Sequence, residues 1–551
     1  MISRALRRGC GYAVAGCLCF LLTGCAGWAG SSGGDTPPVP VTSTAAARIL
    51  DQGTFGPTTS SIQHVQQVGF NIFLNEQFNT PATLVADIPN PNPVQCNQFT
   101  TAQRNCAQSA WLQIALTGND QLRQRVAYAL SEIWVTSTLE IDGRAMTPYL
   151  NLLAKDAFTN YRTIMQDVTL SPAMGNYLNM LNSNLPKNGE IANENYAREL
   201  MQLFTTGVYL LNEDGSLQLD SNGNPIPVYT EDQVQAFARV YTGWTYANSD
   251  GSAPSTFPNE TKNYDSPMAA VESHHDMQAK AILSGVTLPA GQTAENDLQD
   301  ALDNIFNYPN VGPFVCKQLI QHLVSSTPSP AYVERVAKVF ADDGSGVRGD
   351  MQAVITAILL DPEARANDAD TGDSTPSVDG GHLREPILWT TAVARGLNAQ
   401  SSNTDPTNLY PYIQLASLIG GIGEAPLESA SVFNFFPPSY VIPLTTLNAP
   451  EFGIENTGTV IPRLSMADRL VNNNNDTLTV NLSAASSLGQ LAASNPGQLV
   501  DSLGATLMHG QMPSAMRSAI VAEISGISDP AQRVRLAVYL ITTSSVYKVV
   551  N

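Results

Sequence analysis

Basic residues are scarce in this chain of 551 residues. Lys and Arg number 28 against 48 Asp and Glu, a formal net charge of −20. The first 24 residues hold three of the arginines (Arg4, Arg7, Arg8) and no acid, so the remainder alone stands near −23. Such a surface repels a phosphate backbone, which excludes nucleic acid as a natural partner. The acids are spread along the chain rather than gathered in a tail, and they read as a solvated surface. Long apolar runs are also missing at the N-terminus. The stretch Tyr12 to Leu22 is 11 residues long, short of the roughly 20 that a spanning helix needs. Strong catalytic spacings are absent too: no HExxH, no paired CxxC, no Gly-x-Ser-x-Gly elbow and no P-loop.

What stands at the N-terminus is a charged start, a short apolar segment and then Leu22-Thr23-Gly24-Cys25. This is the pattern of a secretory signal peptide over residues 1–24 with a bacterial lipobox, in which Cys25 is lipidated and becomes the new N-terminus. Residue 26 is Ala rather than Asp, which by the bacterial sorting pattern points to the outer membrane, on its periplasmic or surface side. Two or three acyl chains supply the grip that one chain lacks. The membrane is therefore an expected partner, through lipid rather than a spanning helix. Residues 25–42 are rich in Gly, Ser and Pro and read as a disordered tether, reaching roughly 20–25 Å as a random chain.

Cysteine is sparse, with seven residues. Cys10, Cys17 and Cys19 fall in the signal, and Cys25 carries lipid. Cys96 and Cys106 flank a polar stretch and are close enough to pair in an exported protein. A disulfide there adds roughly 2–3 kcal/mol on the loop-entropy account. Free thiols or metal ligands are the alternative. Cys316 lies beside Val315 and Leu319 at a helical apolar position and reads as a buried free thiol.

The rest of the chain predicts a mainly α fold, one large multi-helix globular domain. Ser43 is the expected cap of a helix over 45–50, and two short helices over 58–78 break at Gly69. Leu122, Val126, Ala129, Leu130 and Ile133 form one face of a helix over 121–135. Ser329-Pro330, Asp350 and Asp529-Pro530 open later helices. The exception is a small β-hairpin insertion near 208–229, with Asp214-Gly215 and Asn222-Gly223 as turns. Thr230 and Gln233 make a capping box after it. The main part runs over 43–471. An Asn-rich linker over 472–484 and C-terminal helices over 485–551, packed on the main part, complete the expected organisation.

Three clusters could carry chemistry. In Asn193–Phe204 a helix puts Glu194 and Arg198 four apart, within pairing distance, and Asn195 with Glu199 on another face. Glu199 is there a ligand or general base, or the polar residues of this helix simply bond neighbouring helices and cap the 208–229 hairpin. His274-His275-Asp276 has adjacent histidines that point about 100° apart on a helix, so only one can join an ion. Asp220, Asn222, Asn224 and Glu231 have the spacing of a calcium loop, but Pro225 stands at the sixth position where glycine belongs, which favours a plain turn. A divalent metal is the only cofactor these patterns suggest.

The same segments resemble a bacterial family of unknown function, numbered 1800 (DUF1800). The resemblance is carried by Ala47–Thr58, Asn193–Phe204, Tyr229–Val234, Tyr241-Thr-Gly-Trp244 and His275-Asp276. It continues through Pro309–Phe314, Ser329–Val336, Gly346–Asp350, Leu383-Arg-Glu-Pro386, Ser431–Pro438 and the final helix over 536–547. It implies an exported helical protein, supplies no catalytic residues, and brings one associated partner, an exported sulfatase-like family (DUF1501). Two functions are therefore expected. The first is a cell-envelope lipoprotein that binds or presents an exported partner. The second is a metal-dependent envelope hydrolase whose cleft joins Glu199, Arg198, His275 and Asp276, lined by Asn195, Trp244, Arg384 and Glu385.

Overall fold

Side-chain caps start most of the helices. In the computed structural model, which describes residues 40–88, 100–187, 190–369, 381–405 and 407–550, the first helix is Ser43–Gly53. Its cap is Thr42, one residue before the expected Ser43, because the Thr42 hydroxyl accepts from the Ala45 amide at 3.0 Å. Thr58 and Ser61 cap Thr59–Val68 reciprocally, and Gly69 at φ +80° separates it from Phe70–Asn79. Ser329, Asp350 and Asp529 cap Pro330–Ala341, Met351–Leu360 and Pro530–Thr543. Asp120 is an exception. It precedes Gln121–Ile133 but its carboxylate accepts from Thr83 N and Gln124 Nε2 instead.

These helices bury their apolar stripes against one another in a main core that runs from Ala46 to Tyr547. Trp134 stacks between Tyr161 and Phe204, and Tyr161 meets Phe340. A fully buried Leu, Ile or Phe adds about 1.5–3 kcal/mol. Cys316 is fully buried here and is a free thiol; burial holds its pKa far above that of an exposed thiol. Cys106 is also fully buried and is not free. Its expected partner Cys96 lies outside the described residues, as do Cys25, the signal and the tether up to residue 39.

The insertion at 208–229 folds as three short extended segments. Leu210 N donates to Ile226 O, Gln218 N to Leu210 O, and Ile226 N to Gln218 O, at 2.8, 2.8 and 3.1 Å. The three segments thus close on one another in a ring. Gly215 and Gly223, at φ +77° and +83°, make the two turns. Elsewhere the described strands pair two by two. Gln400–Ser401 pairs with Leu478–Thr479 inside the Asn-rich stretch, where Asn475 and Thr477 are buried. His382–Leu383 pairs with Val549–Val550. Trp389 on Pro386–Gly396 donates its indole N–H to Thr542 O at 3.0 Å, so the last long helix is pinned beside residues 382–396. Among the described residues no helix is long and apolar enough to cross a membrane.

Candidate functional site

The expected cleft residues have separate surroundings. Glu199 ends the short helix Asn195–Glu199, which continues as a π-helix over Leu200–Thr205. Burial raises the pKa of Glu199, and its Oε2 has no hydrogen-bond partner. Arg198 faces outward and pairs with both Glu194 and Glu231 at 2.8 Å. Asn195 is half-buried, and its amide donates to Asn193 Oδ1. His274 and His275 do not share a helix: a single 3-10 turn ends at His274, and His275 is extended. His275 is buried with Nδ1 on Thr242 O at 3.0 Å and Nε2 on Asp297 at 2.9 Å. Lys280 donates to the same Asp297 oxygen at 2.5 Å. Asp276 accepts from Gln278 N and lies 3.5 Å from Arg239. Trp244 is buried in the two-residue strand Trp244–Thr245. Among the described residues, no hydrogen bond or ion pair links Glu199 to His275 or Asp276.

The calcium spacing also resolves into local bonds. Asp220 Oδ1 accepts from the amides of Asn222 and Asn224, which makes a turn. Glu231 is taken by Arg198. Among the described residues, no group of three or more His, Cys, Asp or Glu side chains is placed to hold a metal ion. Gly344–Gly349 spells G-x-G-x-x-G, yet it follows the helix Pro330–Ala341 rather than a strand, so it lacks the dinucleotide-binding context.

A different set of residues converges. A cavity of about 20 Å³ is lined by Glu132, Glu385 and Glu451, with Gln318, His322 and Asn434 among its other polar walls. Glu132 comes from Gln121–Ile133, Glu385 precedes Pro386–Gly396, and Glu451 sits on the 3-10 turn Pro450–Ile454. Two of the segments that carry the family resemblance, 383–386 and 431–438, therefore wall one cavity. Asn434, at φ +64°, turns its amide onto the Glu132 carboxylate. Glu451 accepts from the Ser326 hydroxyl and from Leu383 N.

Behind Glu385 lies Glu424, and Tyr128 stands between them. Tyr128 Oη is 3.0 Å from Glu385 Oε2 and 3.0 Å from Glu424 Oε1. A phenol has one hydrogen and can donate to only one of them. The second bond needs a proton on a carboxyl. Glu424 Oε2 already accepts from Ile387 N at 2.8 Å, so the proton sits on Glu424 Oε1 or on Glu385 Oε2 and is donated to Tyr128. Electrostatics agree. Burial raises the pKa of Glu424, and the charge of Glu132 adds to it. Burial raises Glu385 strongly, with Glu424 adding to it, and burial and then Glu385 raise Glu132. Glu451 is raised by burial as well. His322 is pushed the other way, down to about 3, by burial and then by Arg125. It is a neutral imidazole at the cavity wall at pH 7.

Of these residues only Arg384 and Glu385 stood out in the sequence. Arg125, Tyr128 and Glu132 are polar residues on the helix that also carries the apolar stripe, at i, i+3 and i+7. That spacing was the available signal, since it puts three polar groups on one side of a packed helix. No local pattern marks Glu424 or Glu451.

No curated protein and no solved structure matches the chain. The family model described as a protein of unknown function, DUF1800, matches residues 48–549, and the chain belongs to that family.

Proposed function

We propose that the protein is a lipid-anchored envelope protein whose helical domain performs acid–base chemistry of the hydrolase class in the Glu132–Glu385–Glu451 cavity. The carrying observation is the placement of Tyr128 between Glu385 and Glu424, which requires a shared proton. In this reading Glu424 hands its proton through the Tyr128 hydroxyl to Glu385. Glu385 protonates a leaving group in the cavity, and the ionised fraction of Glu132, whose pKa burial and Glu385 raise to about 8, takes a proton from water. Two carboxyls with different environments can divide the acid and base roles in this way. The hydrolase expectation thus moves from Glu199 and His275 to this cavity. Attachment through Cys25, an outer-membrane location and a Cys96–Cys106 disulfide belong to the same proposal.

The test is hydrolysis of a panel of nitrophenyl esters, glycosides and phosphates by the full chain in neutral detergent. The rate is expected to fall on the acid side as Glu132 is protonated and on the alkaline side as the shared proton is lost, and to drop at least a hundredfold in Glu385→Gln with circular dichroism unchanged. Turnover unaffected by Glu385→Gln would remove the cavity from the reaction.

A second reading, presentation of an exported sulfatase-like partner, draws on the insertion at 208–229. Val208, Tyr209, Leu217 and Leu219 are all exposed there, between 39% and 55%. Clustered exposed apolar residues favour protein contact.

A further inference from the structure

On the far side of the Arg384-Glu385 step is a second cavity, of about 20 Å³, with the opposite character. Its polar walls include Arg125, Arg384, His382 and Asp51. Arg125 and Arg384 are 1% and 4% exposed. Arg384 is paired, with Nη2 on Asp51 at 2.9 Å, and it lies over the Tyr547 ring. Arg125 is not. Its Nη2 donates to His322 O, but among the described residues it has no ion-pair partner. Four buried nitrogens at this cavity lack any hydrogen-bond partner: Arg125 Nε, Arg125 Nη1, Arg384 Nε and His382 Nε2.

The charges around the cavity do not cancel. Asp51 serves Arg384 and faces His509 at 3.6 Å. Burial holds His382 at a pKa of about 3 and His509 at about 4, so both are neutral at pH 7. Glu385 and Glu132 also feel Arg125, but burial and mutual repulsion favour their protonated forms. One guanidinium charge therefore stands uncompensated in the interior. An unpaired buried charge costs several kcal/mol, and a water molecule satisfies its N–H groups without neutralising it.

We propose that this cavity binds a small oxyanion bearing a single charge, held by Arg125, Arg384 Nε and His382. The orphaned nitrogens come from two elements, Gln121–Ile133 and the 382–384 segment, which would grip an anion from two sides with charge-assisted bonds. The site is separate from the proton-sharing carboxyls and does not depend on their being catalytic. Its two natural sources are a small carboxylic acid and inorganic phosphate.

Calorimetric titration of acetate, and separately of phosphate, into the full chain in a low-salt zwitterionic buffer with neutral detergent tests the site. One anion is expected to bind saturably at one per chain, and which of the two does so identifies the source. Arg125→Gln and His382→Leu are each expected to weaken it at least tenfold. Two variants are used so that a folding defect in one leaves the other to decide, with circular dichroism as the check. Absence of saturable binding by either anion, or binding unchanged in a folded variant, would overturn the proposal.

Discussion

Tyr128 shows how much one side chain decides here. Its ring packs near Phe55 and Trp111, with centroids 5.9 and 5.5 Å away, while its hydroxyl joins two carboxyls that would otherwise face each other in the interior. Tyr128→Phe keeps the ring and removes the hydroxyl. Glu385 and Glu424 then lose their common partner, and a buried polar group left without a bond costs about 1–3 kcal/mol. Urea unfolding of the variant at pH 7 is expected to show a loss of that size with an unchanged m-value. A loss below about 0.5 kcal/mol would mean that the hydroxyl is not the bridge. In the sequence Tyr128 is one aromatic on an apolar helix, and nothing local distinguishes it from a core residue.

The elements themselves were largely legible, because their signals are local. Caps at Ser329, Asp350 and Asp529, the capping box at Thr230 and Gln233, and the turns at Gly215 and Gly223 depend on atoms a few residues apart. The errors occurred where a distant partner competes. His274 ends a 3-10 turn and His275 is extended rather than helical, with His275 bonded to Thr242 and Asp297. Glycines separate the two kinds of constraint. Gly56, at φ +121°, would place a Cβ 2.5 Å from the Ala392 Cα on Pro386–Gly396. Gly223, at φ +83°, has open space around it. Gly56→Ala is expected to cost about 3 kcal/mol or more, since backbone meets backbone. Gly223→Ala should cost about 1–2 kcal/mol, the left-handed penalty alone. Thermal unfolding of the two variants side by side checks the order, and equal losses would show that the Gly56 contact yields.

At the scale of the whole molecule, the proposed location and the proposed chemistry rest on different stretches of the chain. The proposed anchor depends on Cys25 and the few residues before it, whereas the two cavities draw on segments from residue 51 to residue 550. Cys25→Ser is expected to move the protein from the membrane fraction to the soluble one, with the same circular dichroism, because no helix among the described residues is long and apolar enough to cross a membrane. Retention of the variant in washed membranes would sink the lipid anchor.

The linear order of residues determined the helical class, the insertion, the buried thiol at Cys316 and the family, since each follows from periodicity, capping or a run of neighbouring residues. It also brought Arg384 and Glu385 into view as a dipeptide. Only the tertiary structure decided what that dipeptide does. Arg384 and Glu385 are neighbours in the chain, yet they line two cavities of opposite charge, one beside Asp51 and Arg125 and the other beside Glu132 and Glu451. The proton shared through Tyr128 and the unpaired charge on Arg125 both arise from groups hundreds of residues apart that are removed from water together. Desolvation is a property of the packed interior, so no spacing along the chain could have announced it.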